Sequence, residues 1–225
     1  FQQRAAEYKA LCIQAYNIAH LRLEEALKIP SAKPKAIITD IDETFLDNSP
    51  YAVHRALQGK DYDSPSWQEW TDKGIADTLT GALAFFNYAA VNNVEVFYIT
   101  NRKEAERKGT LQNLQHYRFP FADEKHLILR KDVSSKEQRR QQVAAGYEIV
   151  LLLGDNLADF SVLFDTKTTE QRTANVQQLA AEFGKKFIVL PNANYGGWED
   201  AVYGNNYNLK PAQKDSAIKS NLKGY

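Results

Sequence analysis

The chain has 225 residues, 28 Lys plus Arg against 28 Asp plus Glu, and 44% hydrophobic residues. That length suits one large domain, or one domain with an insertion, and the balanced charge offers no basic surface for nucleic acid or an anionic membrane. No apolar run approaches a membrane span, and the single cysteine, Cys12, excludes an internal disulfide and a cysteine zinc site.

The sequence contains no Met, so it reads as a processed product from which any targeting segment has been removed. Residues 3–28 are predicted as one long helix. Tyr8, Leu11, Cys12, Ala15, Ala19, Leu23, Ala26 and Leu27 fall on one stripe at helical spacing. Cys12 lies on the stripe and reads as a small buried hydrophobe. His20 flanks it, as a structural or solvated group. Residues 30–34, bounded by Pro30 and Pro34, form a linker.

Ala36-Ile37-Ile38 reads as a buried strand. Asp40, Asp42, Glu43 and Asp47 then crowd one turn. Carboxylates that close repel, and a cation or a proton must relieve them. Their hard oxygens suit Mg²⁺ or Ca²⁺. A solvated acidic loop fits the same stretch. An EF-hand does not, because the loop lacks its sixth-position Gly and twelfth-position Glu.

Residues 52–76 carry Tyr62, Pro65, Trp67 and Trp70 without a sustained period. With the loop leading into them they read as an inserted, partly helical cap over 45–76. Residues 80–90 are predicted helical, and Asn92-Asn93 as a turn. Residues 94–99 form a second strand, ending in Thr100-Asn101-Arg102. Asn101 with Glu104 predicts a capping box that opens a helix there.

A third strand covers 126–130. Ser134 with Glu137 predicts another capping box, for a helix ending at Gly146. A fourth strand over 148–153 runs into Gly154-Asp155-Asn156-Leu157-Ala158-Asp159-Phe160. A helix over 174–184 and a fifth strand over 186–190 follow. The last thirty residues read as irregular with one short helix.

This alternation predicts an α/β fold, a doubly wound parallel sheet covered on both faces, with the long N-terminal helix added. Ligands in such sheets bind beyond the carboxyl ends of the strands. Asp40/Asp42, Thr100/Asn101 and Asp155/Asp159 each follow a strand directly, and Lys136 follows within a few residues, so the fold would gather them at one edge.

That set can transfer phosphate. Asp40 would attack phosphorus. Asp42, two residues on and pointing the same way in an extended turn, would protonate the leaving oxygen and then activate water. Mg²⁺ held by Asp40, Asp155 and the backbone carbonyl of Asp42 would offset the charge, with Asp159 holding metal-bound water or orienting Asp155. Thr100 and Asn101 would bind phosphate at a helix N-terminus. Lys136 sits in the first turn of a helix, where the macrodipole disfavours a cation unless an anion is bound. A solvated surface lysine is the competing reading.

Tyr62, Trp67, Trp70, Tyr195 and Trp198 could line a pocket over the site or simply pack. His54 could touch substrate or be structural. Of His20, His54, His116 and His126, none sits in an Arg-His-Gly or His-Glu-x-x-His context. A Gly-x-Ser-x-Gly elbow and a Walker loop are absent from the sequence.

With Asp40-Ile41-Asp42-Glu43-Thr44, Thr100-Asn101-Arg102, Lys136 and the run 154–160 in view, the chain resembles the haloacid dehalogenase superfamily. More narrowly it resembles class C acid phosphatases of the four-aspartate, bacterial-lipoprotein type, over its whole length. The resemblance implies a Mg²⁺-dependent phosphomonoesterase with Asp40 as nucleophile and Asp42 as acid/base. Its metal group would be Asp40, Asp42, Asp155 and Asp159. It implies action on small phosphate monoesters, often 5′-nucleotides, with the base gripped by Tyr195 and a cap residue, for which Tyr62 is the candidate. It also implies export to the bacterial periplasm or cell surface and a lipid anchor on an N-terminal Cys that this sequence lacks. Pairing with a second copy is a further expectation; a nucleic-acid polymer is not expected as partner. The alternatives are a phosphotransferase or mutase on the same fold, and a non-catalytic surface protein that binds phosphorylated ligands.

Overall fold

In a computed structural model, which describes residues 1–224, the apolar runs become strands of one parallel sheet. A long helix α1 (Ala6–Leu27) precedes β1 (Lys35–Thr39). Then come β2 (Leu46–Asp47), α2 (Ser49–Leu57), α3 (Ser64–Asp72) and β3 (Asp77–Thr78). The chain continues through α4 (Ala82–Val91), β4 (Glu95–Lys103), α5 (Arg107–His116), β5 (Leu127–Arg130), α6 (Glu137–Gly146) and β6 (Glu148–Gly154). It ends with α7 (Thr169–Gln178), β7 (Phe187–Val189), α8 (Gly197–Val202) and α9 (Pro211–Asn221). The main sheet has the order β5-β4-β1-β6-β7, and every neighbouring pair is parallel.

Alternation along the strands divides the core. Ile37, Val96, Tyr98, Leu151 and Leu153 face α1, α4 and α5, packing with Ala19, Leu23, Phe85, Phe86 and Leu114. Ala36, Ile38, Phe97, Ile99 and Leu152 face the other way, onto Val143 of α6 and Phe160. Near-continuous apolar strands are what a sheet buried on both faces requires. The order places β1 at the centre, where the strand sequence doubles back. That is where such sheets open a crevice at their carboxyl edge.

Local structure departs from expectation in several places. Leu11 is 42% exposed and lines an open groove with Ile18 and Val189. Tyr16 is the residue buried in its stead, and its hydroxyl donates to the Thr44 carbonyl at 2.7 Å. An aromatic that carries its own donor can enter the core next to a turn carbonyl; an aliphatic stripe does not reveal it. The Asn101–Glu104 capping box does not form, because β4 runs on to Lys103, which pairs with Arg130 across an irregularity in register. Ser134 does not cap α6 either; Lys136 is the residue just before it. Helix α7 starts at Thr169, not 174, with a capping box of Thr168 and Gln171 at 3.1 and 3.3 Å. The last thirty residues hold two helices, α8 and α9, where one was expected.

Between β1 and α4 the antiparallel pair β2–β3, with Leu46 opposite Thr78, brackets α2 and α3. This bracket matters because it hangs both helices directly on the acidic turn.

Candidate functional site

Strand β1 delivers Asp40. Its backbone N–H donates to the Leu153 carbonyl at 3.0 Å, so the sheet continues one residue past β1 and stops at the carboxylate. The chain then turns sharply: the N–H groups of Phe45 and Leu46 both point at the Ile41 carbonyl at 3.1 Å, and Glu43 takes a left-handed φ of 56°. Such a conformation is unfavourable for a residue with a side chain and persists where neighbours hold it.

Strand β6 delivers Asp155 and, one tight turn later, Asp159. Asp159 Oδ2 accepts the Asn156 N–H at 3.0 Å, closing the turn. A Cβ on Gly154 would overlap the Asp159 side chain, so this close approach requires glycine. Lys136, carried by the segment between β5 and α6, reaches both strands' loops. Its Nζ pairs with Asp40 and, at 2.7 Å, with Asp159 Oδ1. Thr44 Oγ1 sits 3.3 Å from Asp40 Oδ2 and 3.4 Å from Asp155 Oδ1. Asn192, just beyond β7, donates its Nδ2 to Asp155 Oδ2 at 2.7 Å.

One oxygen from each of Asp40, Asp155 and Asp159 lies within 4.8 Å of the others. Lys136 pairs with two of these three carboxylates, Asp40 and Asp159. Burial raises the Asp40 carboxyl, with Asp159 and Asp42 adding repulsion against the pull of Lys136. Burial raises Asp155 well above the carboxylate range, and Asp159 and Asp40 push the same way. Burial would lower the Lys136 ammonium, but Asp159 and Asp40 outweigh it and hold it up. Three crowded carboxylates whose ionised forms are disfavoured by burial and mutual repulsion suit a hard divalent cation in charge and donor type.

Asp42 is held separately. Arg102 Nε lies 3.1 Å from both of its oxygens and Nη2 lies 2.6 Å from Oδ1, while Asn48 Nδ2 donates at 2.9 Å. Arg102 is itself buried, tied to Thr110 Oγ1 at 3.0 Å and lying 5.8 Å from the Trp67 ring centre. Trp70 Nε1 donates to Asn48 Oδ1 at 2.8 Å. Helix α3 thus braces the second aspartate through both tryptophans. A forked guanidinium fixes a carboxylate's plane as well as its position.

Glu43 is buried, accepts the Asn48 N–H at 2.9 Å and receives the Tyr195 hydroxyl. Burial raises its carboxyl to about 7, with Asp42 adding to the rise. Tyr195 is anchored at its tip while the residue as a whole is 41% exposed, an arrangement suited to a flat apolar ligand. Tyr62 belongs to a different aromatic group, 6.4 Å from Tyr51 and 6.1 Å from Trp67.

Thr100 is buried within β4, and its hydroxyl accepts the Arg102 N–H at 3.1 Å. The Thr100 carbonyl and the Asn101 side-chain oxygen receive Arg139 at 2.5 and 2.7 Å. Neither residue stands at a helix N-terminus, because the strand continues through them. Of the histidines, exposed His54 contacts Gln58 at the end of α2 and His20 lies against Tyr88 at 4.0 Å.

The sequence assigned no role to Arg102 or Asn192. Both follow apolar strands at the carboxyl edge, the same signal that singled out the aspartates, and could have been found by it. Gln2 lies in the opening Gln-Gln-x-Ala-Ala-Glu-Tyr run that shares in the resemblance, but no role follows from that run; its amide reaches Asp47 at 2.8 Å.

The family described as HAD superfamily, subfamily IIIB (acid phosphatase) matches residues 1–198. A class C acid phosphatase from Bacillus anthracis, solved with tungstate bound, superposes with a TM-score of 0.97 at 40% identity, over 100% of this chain and 94% of that one. Acid phosphatase 1 of Solanum lycopersicum is 32% identical over 130 residues, 54% of this chain and 50% of its own. Vegetative storage protein 2 of Arabidopsis thaliana is 26% identical over 70% of this chain and 60% of its own. The chain spans about half the length of the first curated relatives it matches.

Proposed function

Since the chain belongs to the HAD superfamily, subfamily IIIB acid phosphatases, we propose that it hydrolyses small phosphate monoesters, 5′-nucleotides among them, through an aspartyl-phosphate at Asp40. The meeting of Asp40, Asp155, Asp159 and Lys136 from three separate strand ends carries this reading. The Bacillus anthracis relative carries tungstate, a tetrahedral oxyanion like phosphate, which supports an oxyanion site in the shared fold.

A carboxylate oxygen of Asp40 attacks phosphorus as the bond to the leaving alcohol breaks, and the proton on Asp42 passes to the alcohol oxygen. Asp42 then takes a proton from water whose oxygen attacks phosphorus, freeing inorganic phosphate and Asp40. The first step uses a proton carried by Asp42. Arg102 and Asn48 keep Asp42 in place between the steps. Lys136 holds Asp40 and offsets charge on the phosphoryl oxygens. Thr100 and Asn101, after the apolar run of β4, would bind the phosphoryl group.

Asp40, Asp155 and Asp159, with the backbone carbonyl of Asp42, would hold Mg²⁺, which when bound neutralises charge on the transferring group. The exposure of Tyr195 supports stacking on a nucleobase, with Tyr62 or its neighbour Trp67 as the opposite wall. Residues 45–76 act as the cap. Export to a bacterial surface, a lipid anchor and pairing with a second copy rest on the family resemblance alone.

Phosphate release from p-nitrophenyl phosphate and adenosine 5′-monophosphate, with Mg²⁺ and then with EDTA, tests the proposal. Turnover is expected with Mg²⁺ and lost in EDTA and in Asp40→Asn. Turnover that survives Asp40→Asn contradicts it.

A further inference from the structure

The segment ahead of α1 reaches into the site. Gln2 is buried, although it lies outside any helix or strand. Its Nε2 donates to Asp47 Oδ1 at 2.8 Å and lies 3.4 Å from Glu43 Oε1. Its Oε1 accepts Asn194 Nδ2 at 2.5 Å. The amide nitrogen faces the Asp47 and Glu43 carboxyl oxygens, and the amide oxygen faces the Asn194 amide group. One side chain therefore joins the turn after β1 to the loop after β7.

That loop carries Tyr195. Asn192 Oδ1 accepts the Asn194 N–H at 2.8 Å, and the Tyr195 hydroxyl donates to Glu43. The Tyr195 ring is thus fixed at its tip by Glu43 and at its backbone by the 192–194 turn. Gln2 touches both supports at once, at Glu43 and at Asn194. The segment is itself pinned: the Ala5 N–H donates to the Phe1 carbonyl at 2.9 Å, and the Phe1 ring meets buried Tyr8 edge-on at 5.9 Å.

We propose that Gln2 is a positioning residue for Tyr195, setting affinity for esters with a flat ring and leaving the phosphoryl chemistry untouched. Gln2 meets neither Asp40 nor Lys136, whereas both of its links lead to the aromatic wall. The inference rests on Tyr195 being that wall, as proposed above.

Steady-state kinetics of Gln2→Ala, Asn194→Ala, Tyr195→Ala and the Gln2→Ala/Tyr195→Ala double variant test it, on adenosine 5′-monophosphate and on ring-free glycerol 2-phosphate. Gln2→Ala is expected to raise KM for the nucleotide by about threefold to tenfold, the loss of about one net hydrogen bond. Its kcat on both esters and its KM for glycerol 2-phosphate should match wild type. Asn194→Ala, which cuts the same link from the loop side, should behave alike. In the Tyr195→Ala background Gln2→Ala should add nothing. An equal KM rise on both esters, a fall in kcat, or a Gln2 effect that persists without Tyr195 overturns the proposal. A normal nucleotide KM in Gln2→Ala beside a raised one in Tyr195→Ala overturns the Gln2 role alone. A normal KM in Tyr195→Ala removes the stacking reading beneath it.

Discussion

Replacing Lys136 with Met keeps the volume of the stem and removes the charge. In the folded protein Lys136 is 5% exposed, and its partners Asp40 and Asp159 are 9% and 7% exposed, so solvent screens the pairs little. Removing one partner from such a buried arrangement destabilises by about 3–5 kcal/mol. At roughly 2–4 °C per kcal/mol for a chain of this size, melting should fall by about 6–20 °C. The acidic group would then lose the ammonium that bridges Asp40 and Asp159. Added Mg²⁺ should therefore raise the melting temperature of the variant more than that of wild type, by mass action on a more negative site. Turnover should drop by about 10²–10³-fold, the scale for removing one charge stabiliser of a transition state. Scanning calorimetry with and without Mg²⁺, paired with p-nitrophenyl phosphate kinetics, reads both effects. Unchanged melting and unchanged turnover would refute the reasoning and return Lys136 to an ordinary solvated lysine.

Further changes probe separate links. Asn192→Ala removes the donor to Asp155 Oδ2 and should weaken Mg²⁺ activation by about 10–100-fold, the usual weight of a group that orients a metal ligand, measured as the Mg²⁺ concentration for half-maximal rate. Gly154→Ala places a Cβ where the Asp159 side chain lies; it should cut turnover while leaving far-UV circular dichroism unchanged. At the far end of the sheet, Glu95 receives Lys125, His126 and Tyr147. Burial alone would raise its carboxyl, but those hydrogen bonds pull it down to about 2. A depressed carboxyl adds stability above its unfolded value of about 4.3 and loses it as pH falls through its folded value. Glu95→Gln should thus cost on the order of 1–2 kcal/mol at pH 7, after allowance for partial exposure, and a difference that shrinks towards pH 2, read by urea melts.

The sheet was legible because Ala36-Ile37-Ile38 and Ile149-Val150-Leu151-Leu152-Leu153 are apolar on both faces, and only a doubly covered strand tolerates that. The meeting of Asp40, Asp155, Asp159 and Lys136 was legible for a related reason: polar residues that end parallel strands share one edge. What escaped notice depends on tertiary contacts. Asn101 has the spacing of a helix cap, but β5 keeps β4 paired to Lys103 and makes it a strand residue that accepts Arg139. The i, i+2 spacing points Asp42 the same way as Asp40, but its fixation by Arg102, sixty residues on, is a tertiary contact. In the sequence Glu43 is one more carboxylate of the crowded turn. Its left-handed turn aims it instead at Asn48 and Tyr195. Gln2 is the extreme case, since its partners lie 41 to 192 residues away.

The most direct test of the account is to quench the enzyme in acid during turnover of a ³²P-labelled phosphate monoester and map the labelled peptide. Label on Asp40, absent in Asp40→Asn, is the predicted result. Turnover with no trapped label, or label on any other side chain, would contradict Asp40 as the nucleophile.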